Sequence, residues 1–156
     1  MDFVAPTVQV QMLIRRPIAS VFNAFVDPRI TTQFWFSHAS GPLEAGRMVR
    51  WEWAAYGVST LVQVQALEPP QRIALLWDDP PCPVEWQFSS QAPNTTLVQI
   101  RSEGFAGPAQ AQVHKALEVQ GGFATVLAGL KAWMEHGLHL RLVDDQFPQS
   151  WVQRAG

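Results

Sequence analysis

Apolar and polar residues alternate through most of the first hundred positions, and then the period lengthens. Over residues 112–136 the apolar positions are Val113, Ala116, Leu117, Phe123, Val126, Leu127, Leu130, Trp133 and Met134. That three-and-four spacing keeps one face of a long helix in a core. Residues 7–15 alternate instead, with Val8, Val10, Met12 and Ile14 opposite Gln9, Gln11 and Leu13, and predict a strand. Pro17 opens a helix with the stripe Val21, Phe22, Phe25 and Val26, since a first-turn proline lacks only a donor that would go unpaired there. Asp27-Pro28 ends that helix and starts another through about Phe36. Residues 37–46 carry loop signals, alternation returns over 48–55, 58–67, 84–88 and 96–103, and residues 72–77 are apolar on both sides, as a central strand is. The breaks fall at Tyr56-Gly57, at Glu68-Pro69-Pro70, at a turn from Asp78 to Pro83 that should not continue a sheet, and at Gln91 to Asn94. The expected product is an α+β domain: a curved antiparallel sheet of about six strands, two short helices after the first strand, and a long C-terminal helix that the sheet wraps.

A curved sheet around a helix can leave a hollow between them. Gly121 and Gly122 lie inside the long helix, each costing about 1 kcal/mol relative to Ala. Two readings stand: close packing of the helix backbone against tryptophans of the sheet, or a thinning of the helix over a cavity. Gly137 predicts the helix end. One domain is expected over residues 1–156, with its core at about 8–136, a tail at 137–156 of which Leu138 to Pro148 packs back as an extended strap, and frayed last residues.

Composition sharpens this picture. The chain has 156 residues, 47% hydrophobic and 15% charged, so an unusually large share of its surface or of an internal cavity must be apolar. Its tryptophans, Trp35, Trp51, Trp53, Trp77, Trp86, Trp133 and Trp151, are spread over most predicted elements. A net charge of -2 without a Lys/Arg cluster argues against nucleic acid or an anionic membrane as partner. A lone Cys82, no leader-like pattern in residues 1–15 and no apolar run of spanning length predict a soluble, cytoplasmic protein.

Several local motifs carry a family resemblance. They are the run from Arg16-Pro17-Ile18 to Ala24-Phe25, the segment from Pro28 to Trp35, and Glu68-Pro69-Pro70-Gln71-Arg72-Ile73 leading to Trp77. Asn94-Thr95-Thr96 with the strand ending in Gly104-Phe105, and the helix portion from Gly122 to Trp133, complete the set. Over residues 8 to about 136 the chain resembles the START-like (SRPBCC) superfamily, in the branch similar to the activator of the ninety-kilodalton heat-shock chaperone ATPase. The resemblance implies a helix-grip, Bet v 1-like fold with an apolar ligand cavity, and it places Val98, Ile100 and Ser102 on that cavity. Ser102 stands where members of the branch often carry a histidine.

Trp51, Trp53, Trp77, Trp86, Phe88 and Phe123, with Leu127 from the helix, complete the candidate lining. Each could equally fill a core. Arg50, Glu52, Glu85, Arg101 and Glu103 read as a solvated outer face, or, with Arg50 or Arg101 turned inward, as a carboxylate clamp. His38, His114, His136 and His139 lack metal spacing and read as surface residues, His114 within reach of the cavity mouth. Cys82, among prolines, has no basic neighbour to activate it. No catalytic residue, metal or cofactor is assigned. The expected function is binding of a small hydrophobic or aromatic molecule by a monomer or homodimer. A polyketide cyclase- or hydrolase-like enzyme using the same cavity, and a chaperone co-factor or protein-interaction module, are the alternatives.

Overall fold

The computed structural model describes residues 2–148, so Trp151 and the expected fraying of the last residues lie outside the described part. Alternating segments form strands β1 (Val8–Ile14), β2 (His38–Ala39), β3 (Met48–Trp53), β4 (Val58–Glu68), β5 (Arg72–Trp77), β6 (Cys82–Ala92) and β7 (Thr95–Ser102). Helices α1 (Ile18–Val26) and α2 (Pro28–Thr31) follow β1, α3 (Ala109–His136) follows β7, and α4 (Leu142–Gln146) comes last. The strands make one antiparallel sheet in the order β1-β7-β6-β5-β4-β3-β2. Its first strand therefore pairs with its last, Val8 opposite Ser102 and Ile14 opposite Thr96. Irregularities between Val64 and Ala66 in β4, and between Ser90 and Ala92 in β6, bend the two longest strands. The inner face of the sheet packs on α3, which gives the expected helix-grip arrangement with one strand more than six.

Four local expectations are corrected. The loop at 37–46 contains β2, because the Ser37 hydroxyl donates to the Glu52 carbonyl (2.7 Å) and Ser40 Oγ accepts the Arg50 N–H (2.9 Å). α2 stops at Thr31, where Gln33 and Phe34 donate to the carbonyls three residues back and tighten the chain into turns. β6 starts at Cys82, since a proline one residue into a strand is tolerated and Pro83 pairs with Leu76. α3 begins at Ala109, and its buried face is narrower than its apolar pattern: Val113 is 42% and Leu117 66% exposed.

The hollow expected between sheet and helix is filled. Phe25 touches Phe34, Trp35, Trp86 and Phe88 with ring centroids 5.4 to 6.3 Å apart. Trp35 in turn stacks on Phe36 and meets Trp51 edge-on at 4.8 Å. Phe25 comes from α1 and Phe34, Trp35 and Phe36 from the turn after α2, segments that drop their aromatics onto Trp51, Trp86 and Phe88 of the sheet. Within this packing the Trp86 indole N–H is buried with no protein partner among the described residues, at a cost of about 1–3 kcal/mol. On the other face of the sheet, Arg50 pairs with Glu52 (3.2 Å), Arg72 with Glu68 and Glu85 (3.0 and 3.1 Å) and Arg101 with Glu103 (3.3 Å). The outward reading of these charges holds, and neither Arg50 nor Arg101 turns inward as a clamp.

Candidate functional site

Open space lies at one end of the core. Two hairpins turn there: Trp53 faces Val58 as the last pair of β3–β4, and Trp77 faces Cys82 as the last pair of β5–β6. Inward side chains this close to a turn have sheet on one side of them only, so each indole is half-buried, whereas Trp51, one inward position deeper, is fully buried. The result is a cleft of about 280 Å³ with a floor of Trp35, Trp53, Trp77 and Phe123. Trp77 stacks on Phe123 (centroids 5.5 Å apart, planes 24° apart), and Trp35 meets Trp53 and Trp77 edge-on at 6.4 and 6.1 Å.

One wall is α3, contributing Lys115, Glu118, Val119, Gly122 and Val126. The opposite rim is Tyr56, Val58 and Asp78, and the cover is Val143, Gln146 and Phe147, from α4 and the residue after it. That cover is tied down by one side chain. The Tyr56 hydroxyl donates to the Val143 carbonyl, lies 3.1 Å from the Asp144 carbonyl and accepts the Phe147 N–H at 3.2 Å. Charge sits at the mouth alone, where Lys115 pairs with Asp78 (3.1 Å) and Glu118 with His114 (3.1 Å). The floor is carbon and indole, which suits an apolar guest with one polar end.

Of the ten candidate lining residues, Trp53, Trp77 and Phe123 are brought together here. Trp51, Trp86, Phe88, Val98, Ile100, Ser102 and Leu127 are not: all are buried in the packed interior. Ser102, at the position the resemblance singled out, donates to the Pro83 carbonyl (3.0 Å) and lies 3.5 Å from Cys82 Sγ, a structural contact away from the cleft. Sequence reasoning missed Trp35, Tyr56 and the α4 cover as parts of the site, and left Gly122 between packing and cavity. One signal was available: Trp77 directly precedes the turn residues from Asp78, which marks a tryptophan at a sheet end.

The two glycines separate as well. A Cβ at Gly121 or Gly122 would meet nothing within 4 Å, so close packing explains neither, and Gly122 opens onto the cleft. The close approach is at Gly129, where a Cβ would stand 3.0 Å from the Phe34 carbonyl oxygen. Among the described residues no group of His, Cys, Asp and Glu is arranged to hold a metal, and no helix is long and apolar enough to cross a membrane.

No curated protein matches the chain. Among solved structures it is similar to the protein SSP2350 from Staphylococcus saprophyticus, with 28% identity, TM-score 0.77, and 87% of this chain and 96% of that chain covered. The Aha1 dimer from Colwellia psychrerythraea shares the fold at 15% identity, TM-score 0.71, covering 85% and 98%. CalU16 from Micromonospora echinospora does so at 17%, TM-score 0.66, covering 94% and 86%. The family described as Activator of Hsp90 ATPase homolog 1-like protein matches residues 15–135, and with most of its length so matched the chain belongs to that family.

Proposed function

We propose that this protein binds a small hydrophobic or aromatic molecule in the cleft at the hairpin end of its sheet. The observation that carries this reading is the pair of indoles, Trp53 and Trp77, left half-open at the cleft over the buried rings of Trp35 and Phe123 in a chain whose interior is otherwise filled. Exposed aromatic surface costs free energy in water, about 25 cal/mol per Å² of apolar area, and a guest would recover it. Capacity supports the same reading. An apolar cavity of about 150 Å³ takes up benzene, so a cleft of about 280 Å³ has room for one or two rings.

Binding is favoured over catalysis because the charged groups at the cleft, Asp78, Lys115 and Glu118, stand at its mouth, and the Tyr56 hydroxyl is taken up by the backbone of Val143, Asp144 and Phe147. Cytoplasmic residence fits the free, buried thiol of Cys82. The test is titration of intrinsic tryptophan fluorescence with a panel of aromatic metabolites and fatty acids. Saturable quenching by the aromatic members is expected, and Trp53→Ala should weaken it more than tenfold, since a floor aromatic contributes well over 1 kcal/mol. A flat response across the panel would overturn the reading.

A further inference from the structure

The helix wall of the cleft is a single stripe at three-and-four spacing, Lys115, Glu118, Val119, Gly122 and Val126, and at its centre stands the one residue without a side chain. Nothing in the fold asks for glycine there. Gly122 is helical, unlike the glycines of positive φ in the turns, and a Cβ placed on it would touch no atom within 4 Å. A helix interior disfavours glycine, so what Gly122 supplies is space, and the space belongs to the cleft. It adjoins the bare backbone of α3 on one side and the planar rings that line the cleft on the other.

We infer that Gly122 determines which guests the cleft accepts, and that it selects a flat, fused two-ring aromatic molecule carrying a single polar group. The inference rests on the binding reading above and narrows it to a ligand class. A planar ring system can lie between backbone and indole with both faces in contact, with its edge reaching the recess at Gly122. A puckered ring of the same carbon count is thicker and loses one of those contacts. The single polar substituent belongs at the mouth, beside the Lys115–Asp78 pair.

Two probes sharing a skeleton and a hydroxyl isolate planarity: 2-naphthol and trans-decahydro-2-naphthol, titrated calorimetrically into the full chain and into Gly121→Ala, Gly122→Ala and Gly122→Leu variants. The wild type should bind 2-naphthol at least tenfold more tightly than its saturated counterpart. Gly122→Ala should weaken 2-naphthol about tenfold, the scale of overpacking by one methyl, and Gly122→Leu should remove saturable binding. Gly121→Ala, whose side chain would point away from the cleft, should leave affinity within about twofold, as a distant surface change does. Thermal melts decide whether a loss is one of folding, because both alanine variants should melt at or above the wild-type temperature. Equal binding of the two probes, or a Gly122→Ala variant that binds like the wild type, overturns the inference and leaves the binding reading standing. Absence of saturable binding by either probe in the wild type overturns both.

Discussion

Gly122 and Gly129 sit on the same helix and do opposite things. At Gly129 the backbone of α3 passes so near the turn after α2 that an added Cβ would meet the Phe34 carbonyl oxygen at 3.0 Å and Phe34 Cβ at 3.3 Å. A main-chain oxygen cannot swing aside. Gly129→Ala should therefore lower stability by about 1 kcal/mol net, the strain of overpacking exceeding the helix-propensity gain. Urea unfolding checks this: a midpoint unchanged or raised would mean that the helix shifts freely past Phe34. Single residues were legible in the sequence where local chemistry decides them. Gly137 caps α3 at φ 65°, with its N–H on the Trp133 carbonyl (2.8 Å), as its position after the apolar run suggested. Which helix glycine is packed and which is open was not legible, because that depends on what lies across from it.

Secondary elements followed their periodicity wherever one face was buried, since alternation and the helical repeat are both responses to a core. The elements that escaped lack such a face. β2 has two residues and is held by serine hydroxyls, and α4 has no buried residue and starts from Arg141 in the left-handed region, φ 57°. What holds α4 across the cleft is the Tyr56 hydroxyl, contributed by the β3–β4 turn. Tyr56→Phe keeps the ring and removes that tie. Amide exchange over residues 142–147 should rise about five- to tenfold in the variant, in line with about 1–1.5 kcal/mol for a lost hydrogen bond, while β5–β7 amides stay protected. Unchanged exchange in α4 would show that the apolar contacts of Val143 suffice.

The molecule as a whole is closed at the other end by a polar clasp. Glu135, its side chain 9% exposed, accepts the Arg15 N–H (3.0 Å) and pairs with Lys131 (2.6 Å), whose ammonium also donates to the Leu13 carbonyl (2.8 Å). The end of α3 is thus pinned to the end of β1. Burial by itself raises the Glu135 carboxyl; the Arg15 N–H, Lys131 and nearby His136 outweigh it and hold the group below its ordinary 4.5. A carboxyl depressed by folding stabilises fully above its unfolded value and loses that contribution as pH falls through the folded one. Glu135→Gln should cost about 1–2 kcal/mol at neutral pH, and the gap from wild type should close as the medium is acidified below about pH 4. A gap that persists in acid would assign the loss to packing. The chain's own pattern determined the order of elements, the sheet wrapped on a final helix, and the wealth of aromatic side chains, because period and turn chemistry act over neighbouring residues. Only the tertiary structure decided which aromatics fill the interior and which line a cleft. Trp51 and Trp53 share one strand face and differ by a single inward position, and distance from the hairpin turn, set by long-range pairing, buries the first and leaves the second half-open.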